Sequence, residues 1–466
     1  MIFDVVIIGS GPGGYVAAIR CAQLGMKTAL IVKYSTLGGT CLNVGCIPSK
    51  AWLEASEHYY KLSHQFSEFG ITVKGASVDI LKMNESVGSV VKEIINGVSY
   101  LMNKNKIEIF EGTACIKDKS TIEVKSGEKI TSINTNKIII ATGSKPSSLP
   151  GIVIDKKRVI SSTEALGLKE IPPHLMIIGG GVIGVELGSV FSRLGSKVTI
   201  VEYLDSIIAS MDGSLGKELL KSLNKQGIEF LLGHKVTQVT AGSDKVTMNA
   251  QKLSDKSEVT LEADYCLVAV GRRPYTDNLG LENIGVKTDA KGRIEVNENL
   301  ETNVQGVYAI GDVIRGAMLA HKASEEGVYV AEVIAGQKPH INYSLIPNIV
   351  YTQPEVASVG LTEEELRKAE RAIKTGIFPF KANARAKISR DTDGFIKVIS
   401  DAQTDEILGI HMIGSRASDM IGEGTLAMEF RASAEDIARS SHGHPTFYET
   451  LKEASLDATG KRAIHI

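Results

Sequence analysis

The amino-acid sequence predicts an α/β protein with two Rossmann-like dinucleotide-binding domains and a C-terminal α+β domain. Three observations support this fold class. A unit of apolar strand, glycine-rich turn and helix occurs twice, and each copy is followed by another apolar strand. From about Ser344 the pattern changes to strands that precede helices. The length of 466 residues is compatible with several domains.

The first unit begins with the apolar strand 5–8, which leads into the turn Gly9-Ser10-Gly11-Pro12-Gly13-Gly14. A helical stretch then continues to about Leu24, and the next strand covers 28–32. The glycines permit a tight turn, and the helix that follows directs its first N–H groups at a pyrophosphate. This segment therefore predicts a first dinucleotide site.

The second unit repeats this order with the strand 175–178 and the turn Gly179-Gly180-Gly181-Val182-Ile183-Gly184. Its helix runs to about Leu194, and its next strand, 197–201, is followed by Glu202. A carboxylate there accepts hydrogen bonds from a ribose diol and repels a 2′-phosphate, so NAD is favoured over NADP. The first unit has Val32 and Lys33 at the corresponding place, so it must hold its ribose in another way.

Three further apolar runs resemble strands near a cofactor. The runs 137–143 and 267–274 each read as a buried strand ending in a glycine, and 307–312 ends in Gly311-Asp312. Asp312 could simply cap a helix or a turn. In this context we interpret it as a contact to a polyol.

Charge and hydropathy argue against two functions. The formal net charge is −2 and no long basic stretch occurs, so a nucleic-acid surface is not predicted. No apolar run reaches about 18 residues, so no membrane span is predicted. The first apolar run leads directly into glycines, which favours a strand over a signal peptide.

Cys41 and Cys46 form the most informative pair in the chain. They can close a small disulfide if the backbone winds about one helical turn between them. A structural disulfide, or two buried thiols that never meet, is the alternative. Because five cysteines in a long chain are not a secreted disulfide framework, a redox pair is favoured. No second pair or histidine cluster lies nearby at ligand spacing, so no metal is predicted.

Near the C-terminus, His444 and Glu449 could form a dyad in which the carboxylate orients a basic imidazole. A dithiol reaction needs such a base, because only the thiolate attacks a disulfide. A surface histidine in a proline turn, followed by a helix-capping acid, explains the local sequence equally well. Since His444 is far from Cys41 in sequence, the C-terminal domain must fold back or a second subunit must supply the base.

The run from Gly38 to Lys50, Gly-Gly-Thr-Cys-Leu-Asn-Val-Gly-Cys-Ile-Pro-Ser-Lys, resembles that of the dihydrolipoamide dehydrogenases, within the pyridine nucleotide–disulfide oxidoreductases. The resemblance extends over nearly the whole chain. Glutathione reductase-like relatives tend to have Val-Pro-Lys-Lys after the second cysteine. Mercuric reductases and large thioredoxin reductases carry a C-terminal cysteine pair, which the ending Arg462–Ile466 lacks.

The resemblance implies FAD at the first site and NAD at the second. It implies that Cys41 exchanges with the dithiol substrate and that Cys46 contacts the flavin. It also implies that Lys50 pairs with Glu186 near the flavin. The catalytic residues expected are Cys41, Cys46, Lys50, Glu186, His444 and Glu449. The residues expected at FAD are Gly9, Gly11, Pro12, Gly13, Gly14, Gly39, Thr40, Lys50, Ala114, Thr142, Gly143, Asp312, Met318, Leu319, Ala320 and His321. Those expected at NAD are Gly179, Gly180, Gly181, Val182, Ile183, Gly184, Glu202, Val236 and Gly271.

The implied activity is the oxidation of protein-bound dihydrolipoamide with reduction of NAD⁺, as the dehydrogenase component of 2-oxo acid dehydrogenase complexes or the glycine cleavage system. The alternatives are an NAD(P)H-dependent reductase of another small disulfide or a metal ion, and a dinucleotide-bound scaffold without redox chemistry. The scaffold leaves both the cysteine pair and the histidine dyad without a purpose.

The expected domains are an FAD-binding domain over 1–145, an NAD-binding domain over 146–271, the second part of the FAD-binding region over 272–343, and a dimerisation domain over 344–466. The expected partners are a second copy of the chain and the lipoyl domains of acyltransferase or H-protein-type carriers. The expected compartment is a bacterial cytoplasm, with a mitochondrial matrix after processing as second choice. Three departures from the family pattern are Val32 for the usual glutamate, Trp52 for a smaller aliphatic residue, and Gly443 for a common alanine.

Overall fold

The computed structural model describes residues 2–465. The chain divides into two compact units, of which the first comprises Met1–Ala51, Leu81–Ser147 and Gly271–Ile341. The second comprises Trp52–Ile80, Ser148–Val270 and Asn342–Ile466. The segments predicted as the NAD-binding and dimerisation domains thus fall largely in one unit, and the finer four-part division stays a prediction.

Helices and strands are interspersed along the whole chain. The first part contains β1 (Ile2–Ile8), α1 (Pro12–Gln23), β2 (Thr28–Val32), α2 (Gly39–Val44), α3 (Cys46–His64), α4 (Ile80–Lys104), β3 (Glu108–Glu111), β4 (Thr113–Ile116), β5 (Thr121–Ser126), β6 (Lys129–Ile140) and β7 (Ser144–Pro146). The middle part contains β8 (Val159–Ile160), α5 (Ser162–Ala165), β9 (His174–Ile178), α6 (Val182–Arg193), β10 (Lys197–Val201), α7 (Gly213–Lys225), β11 (Ile228–Leu231), β12 (His234–Ala241), β13 (Val246–Lys252), β14 (Glu258–Ala263) and β15 (Tyr265–Val268). The last part contains β16 (Arg272–Pro274), α8 (Leu281–Ile284), β17 (Val307–Ala309), α9 (Ala320–Ile334), β18 (Asn348–Val350), β19 (Glu355–Gly360), α10 (Glu363–Lys368), β20 (Ile373–Pro379), α11 (Ala384–Ser389), β21 (Phe395–Asp401), β22 (Ile407–Gly414), α12 (Ala417–Glu429), α13 (Ala434–Arg439) and α14 (Glu449–Ala458).

The first unit is built on a sheet of order β3-β2-β1-β6-β5-β4, with β17 also paired to β6. The strands β1, β2, β17 and the end of β6 run parallel, and Ile8 lies level with both Ile31 and Ile140. Apart from Ile2, their apolar residues are almost fully buried, as expected for parallel strands covered on both faces. The turns that follow β1, β6 and β17 therefore meet at one edge of the sheet.

The second unit contains a parallel sheet of order β11-β10-β9-β15-β8 and an antiparallel sheet of order β12-β13-β14. A further sheet of order β18-β19-β22-β21-β20 is antiparallel and packs against α12 and α14. Each compact unit thus contains the Rossmann-like pattern that the sequence predicts, and the second unit also contains the C-terminal α+β segment.

Two predicted strands were wrong in detail. The run 267–274 forms two strands, because β15 pairs with β9 whereas β16 pairs with β7. Gly271, at φ +105°, lies between them and allows the chain to change direction. In the region from about Ser344, where strands that precede helices are predicted, β21 instead precedes the strand β22, since a turn at 402–404 makes the two strands a hairpin.

No helix within residues 2–465 is long and apolar enough to cross a membrane. Over the same residues, no group of histidine, cysteine and acidic side chains is arranged to hold a metal ion.

A buried ionic network joins three elements of the second unit. The Nζ of Lys397, on β21, lies 2.7 Å from Oδ1 of Asp212 and 3.0 Å from Oε2 of Glu363. Asp212 caps α7 by accepting a hydrogen bond from the N–H of Ser214. Burial alone would raise the pKa of Asp212, but His411, Lys397 and Ser214 together lower it to about 2. The network thus ties the second Rossmann-like segment to the C-terminal sheet.

We expect Lys397→Met to lower the free energy of unfolding by about 3–5 kcal/mol at pH 7, because it leaves a buried carboxylate unpaired. Because the folded pKa of Asp212 lies below its ordinary value, the stabilisation is complete above pH 4 and is lost as the pH falls toward 2. The difference in unfolding free energy between variant and wild type should therefore become smaller as the pH falls from 4 toward 2. Urea unfolding followed by circular dichroism measures both.

The matched control is Lys374→Met, which removes a partly exposed lysine 3.8 Å from Asp405 on the neighbouring strand β20. It should change the unfolding free energy by no more than about 0.5 kcal/mol. Equal losses in the two variants would contradict the role of the network.

Candidate redox and nucleotide-binding sites

Cys41 and Cys46 lie on consecutive helices that are separated by a single glycine. Cys41 is in α2, Gly45 follows α2, and Cys46 is the first residue of α3. A Cβ on Gly45 would stand 2.8 Å from the carbonyl oxygen of Thr40 and 3.2 Å from Cα of Cys41. Only glycine permits the backbone to fold this tightly, and the tight turn brings the two thiols together.

The side chains of Cys41 and Cys46 share a hydrogen bond. That hydrogen bond, together with burial, raises the pKa of Cys41. The thiol of Cys41 therefore holds its proton more firmly than an ordinary cysteine does. The pair that the sequence singled out is thus a contact pair in the fold.

The helix that carries Cys41 abuts the first glycine turn. Gly39 has φ +57°, and a Cβ there would stand 2.8 Å from Cα of Gly11. The N–H of Gly38 donates to the carbonyl oxygen of Ser10 at 2.9 Å. Burial and the neighbouring Cys41 raise the pKa of Tyr15. The sequence analysis did not single out Tyr15.

The first glycine turn has the shape that a dinucleotide requires. A Cβ on Gly9 would stand 2.4 Å from the carbonyl oxygen of Ala141, and one on Gly14 would stand 1.8 Å from the carbonyl oxygen of Gly9. In contrast, a Cβ on Gly11 would meet no atom within 4 Å. Packing thus fixes two of the glycines, whereas Gly11 faces open space at the N-terminus of α1, where a pyrophosphate of FAD fits.

Asp312 lies in the 3₁₀ turn that follows β17. Its carboxylate accepts a hydrogen bond from the hydroxyl of Ser144 at 2.5 Å, and Arg272 donates to Ser144 through Nε and Nη2 at 2.7 Å each. Burial lowers the pKa of Arg272, and the charges of Asp312 and Cys46 oppose that change. The sequence analysis missed Ser144 and Arg272 as site residues, although a cation directly after Gly271 was a usable signal.

The other residues predicted at FAD lie in the first unit. Thr142 donates to the carbonyl oxygen of Tyr275 at 2.6 Å, and Gly143, at φ +72°, faces open space. Residues 318–320 are half-buried at the start of α9, His321 is exposed, and Ala114 is buried on β4. Their contacts with FAD stay predictions.

Val32 is buried at the end of β2, where the family usually has an acid. The next residue, Lys33, donates from Nζ to the hydroxyl of Tyr275 at 2.7 Å. The end of this strand therefore presents an amine and a phenol in place of a carboxylate.

The second glycine turn repeats the geometry of the first. A Cβ added at Gly179 would stand 2.5 Å from the carbonyl oxygen of Ala269, and one added at Gly184 would stand 2.0 Å from the carbonyl oxygen of Gly179. In contrast, Gly181 faces open space. The carboxylate of Glu202 accepts from the N–H of Gly180 at 2.5 Å and from the N–H of Leu204 at 2.8 Å. The predicted ribose acid is therefore held beside the turn.

The remaining residues predicted near NAD and the flavin lie on several elements. Val236 is half-buried on β12 in the second unit, and Gly271 belongs to the first unit. Glu186 is buried on α6, where its Oε1 accepts from the N–H of Tyr351 at 2.9 Å. Its pairing with Lys50 stays a prediction.

His444 and Glu449 form a hydrogen-bonded pair. Nδ1 of His444 lies 2.8 Å from Oε1 of Glu449, and the N–H of Thr446 donates to Oε2 at 2.8 Å. Burial alone would raise the pKa of Glu449, but these two hydrogen bonds lower it. The side chain of His444 is 72% exposed, so its other nitrogen is accessible. Glu449 also begins α14, so it occupies a helix terminus as well as the dyad.

His442 has a different environment. It bonds to Glu423 at 2.9 Å and to the carbonyl oxygen of Ser440 at 3.0 Å, and its side chain is only 7% exposed. The hydrogen bond with Glu423 raises its pKa. These contacts suit a structural role.

Comparison with known proteins agrees with this geometry. Residues 3–327 match the pyridine nucleotide-disulphide oxidoreductase family, and residues 346–455 match the dimerisation domain of that family. The chain is 50% identical over 460 residues to dihydrolipoyl dehydrogenase 3 of Pseudomonas putida, with 98% of each chain covered. It is 49% identical over 464 residues to the mitochondrial dihydrolipoyl dehydrogenase of Caenorhabditis elegans, with 99% of this chain and 94% of that one covered. The solved structure of the HOCl-induced flavoprotein disulfide reductase RclA from Escherichia coli is similar at a TM-score of 0.87 and 27% identity, covering 97% of this chain and 99% of that one.

The fold and the matches define a class of flavoproteins that exchange electrons between a thiol pair and a pyridine nucleotide. The chain belongs to the pyridine nucleotide-disulphide oxidoreductases and, within them, to the dihydrolipoyl dehydrogenase family. The predicted fold class, enzyme class, function and cofactors FAD and NAD are confirmed at the level of this family. The dimerisation domain supports the predicted homodimer, and the relatives include bacterial and mitochondrial proteins.

We expect Glu202→Ala to lower the preference for NAD⁺ over NADP⁺, measured as the ratio of kcat/KM values, by about tenfold or more, because the carboxylate that repels a 2′-phosphate is lost. Glu229→Ala is the matched control, since it removes a carboxylate from the neighbouring strand β11, where it contacts Thr199 and Lys197. An unchanged preference in Glu202→Ala would contradict the assignment of Glu202 to the ribose.

Proposed function

We propose that this chain oxidises dihydrolipoamide to lipoamide and reduces NAD⁺ to NADH, with the Cys41–Cys46 disulfide as the first electron acceptor. The observation that carries the proposal is the contact between the two thiols beside the first glycine turn. A dithiol substrate and a dithiol–disulfide pair exchange electrons without any other oxidant. The names and identity of the relatives support the same substrate.

The thiol steps balance in atoms and electrons. One substrate thiol loses its proton to His444 and attacks Sγ of Cys41, so the Cys41–Cys46 bond breaks and Cys46 leaves as the thiolate. The second substrate thiol then attacks the substrate sulfur of the mixed disulfide. This closes the ring of lipoamide and releases Cys41, which takes up the proton of the second substrate thiol. The raised pKa of Cys41 supports its release as a protonated thiol.

The residues that would hold FAD are those of the first glycine turn and the Asp312 turn. Gly11 leaves room for the pyrophosphate, and the carboxylate of Asp312, fixed by Ser144, is suited to a ribityl hydroxyl. When bound, FAD accepts the electron pair of the thiols and NAD⁺ carries it away as hydride. The protein itself contributes the order of the sites and the charge on the thiols.

His444 is proposed as the general base, and Glu449 as the residue that orients it. The hydrogen bond to Nδ1 fixes the tautomer that leaves Nε2 as the acceptor. The lowered pKa of Glu449 keeps the carboxylate charged, so it stabilises the imidazolium that forms. Following the family resemblance, we propose that this dyad acts on the thiol pair of the second subunit in the homodimer.

The partners follow from the substrate. We propose that the dihydrolipoamide is carried on the lipoyl domain of an acyltransferase or of an H-protein-type carrier. The compartment proposed is a bacterial cytoplasm, and a mitochondrial matrix is the second choice.

An anaerobic titration with dihydrolipoamide, read by visible absorbance, tests the activity. We expect a long-wavelength charge-transfer band from the Cys46 thiolate, which disappears when NAD⁺ is added. Glutathione disulfide and mercuric ion are tested with NADH in parallel, because they represent the alternative reductase. A flavin that ignores dihydrolipoamide but is reduced by NADH would contradict the proposed substrate.

We expect His444→Gln to lower dihydrolipoamide turnover by at least about two orders of magnitude, because the base is lost. Reduction of an artificial acceptor by NADH should persist, since that reaction needs no thiol deprotonation. His442→Gln is the matched control in the same segment and should retain most of the turnover. Near-wild-type turnover in His444→Gln would remove the base assignment.

A further inference from the structure

Helix α9 of the first unit contains a buried ion pair. Nζ of Lys322 lies 2.8 Å from Oε1 of Glu326, and their side chains are 2% and 0% exposed. Pairs four residues apart on a helix usually lie on the solvent side and contribute little. Burying two charges costs several kcal/mol unless their remaining hydrogen-bonding groups are satisfied. The partners of this pair are therefore informative.

Both charges act on the peptide groups of Gly311. Oε2 of Glu326 accepts the N–H of Gly311 at 2.7 Å, and Nζ of Lys322 donates to its carbonyl oxygen at 3.4 Å. Gly311 has φ +74° and immediately precedes Asp312. These charge-assisted hydrogen bonds to both peptide groups of Gly311 fix the direction in which the chain leaves β17. The side chain of Asp312 is aimed by that direction.

The helix that carries the pair is itself fixed to the first glycine turn. A Cβ on Gly327 would stand 2.7 Å from the carbonyl oxygen of Gly13, and one on Gly13 would stand 3.0 Å from that of Ala323. Helices α1 and α9 thus approach each other closely at these two glycines. As a result, the pair on α9 is held at a fixed distance from the turn that would hold the pyrophosphate.

We propose that Lys322 and Glu326 are positioning residues that set the place of the Asp312 carboxylate against the ribityl chain of FAD. This inference rests on the proposed function, because that function assigns FAD to the first glycine turn. The pair acts through its hydrogen bonds to Gly311. Its purpose is to keep the pyrophosphate turn and the ribityl carboxylate at a fixed separation.

The test measures how fast the holoenzyme releases FAD on dilution, read as the rise in flavin fluorescence. Lys322→Met/Glu326→Leu removes both charges and the acceptor for Gly311. Lys322→Met/Glu326→Gln removes the charges and keeps an acceptor. The matched control is Arg20→Met/Glu332→Gln, which removes the 2.6 Å ion pair that joins α1 and α9 away from Gly311.

We expect Lys322→Met/Glu326→Leu to release FAD about tenfold faster, as the loss of one buried charge-assisted hydrogen bond predicts. The control should stay within about threefold of wild type, and the Gln variant, which keeps an acceptor but loses the charges, should lie between the control and the Leu variant. In the Asp312→Asn background the Leu variant should add little further acceleration, because a double-mutant cycle reveals action through a shared residue. The KM for dihydrolipoamide should not change.

Equal acceleration with and without Asp312→Asn would overturn the proposal, and so would acceleration of the same size in the control. If the Leu variant does not fold, the Gln variant decides: release faster than in the control, which Asp312→Asn abolishes, supports the role of the pair, and release no faster than in the control refutes it. If Asp312→Asn alone leaves FAD release unchanged, the placement of FAD in the proposed function fails as well. If Asp312→Asn accelerates release but the Leu variant does not, only the positioning role fails.

Discussion

The arrangement of the first unit depends on one backbone contact, the approach of Gly39 to Gly11. A side chain at Gly39 would collide with the glycine turn, and its φ of +57° is rarely adopted by other residues. Because the contact is made by backbone atoms, helix α2 lies directly against the N-terminus of α1. The thiol pair follows from this placement, since Cys41 is only two residues beyond Gly39. The same device, glycine against backbone, joins α9 to α1.

The two glycine turns have the same geometry, but the strands that follow them end in different residues. Both glycine turns have a first glycine fixed by a neighbouring strand, a fourth fixed by the first, and a middle one that faces open space. They differ where the second strand ends. Glu202 supplies a carboxylate in one case, whereas Lys33 and Tyr275 form a hydrogen bond in the other. One turn can thus serve two nucleotides, with the recognition of the ribose left to the strand end.

Local patterns predicted the parts of the fold that are locally determined. The strands 28–32 and 197–201 agree with β2 and β10, because their apolar residues are buried on both faces and no other structure satisfies them. The run 267–274 was misread, since its apolar part and its Arg-Arg-Pro part pair with different strands. Periodicity cannot show a change of partner in the middle of a run.

The site shows the same division. The cysteine pair and the His444–Glu449 pair were predictable, because their members are close in sequence and their chemistry is specific. Ser144 and Arg272 were not, because their contact joins segments 128 residues apart and each residue type is common. Lys322 and Glu326 have the four-residue spacing of an ordinary surface pair on a helix, and it is their burial that distinguishes them.

The carboxylate of Glu202 carries a consequence for how the nicotinamide nucleotide comes and goes. Two backbone N–H groups, from Gly180 and Leu204, hold its oxygens, so the side chain is ordered by the protein itself. Immobilising a flexible side chain on binding costs about 0.5–1.5 kcal/mol, and in this fold that cost is met during folding. A nucleotide ribose that binds at Glu202, as we expect, would meet a preorganised acceptor, and neither its arrival nor its departure would require the acid to rearrange. A coenzyme that must be exchanged in every turnover is well served by a rigid site.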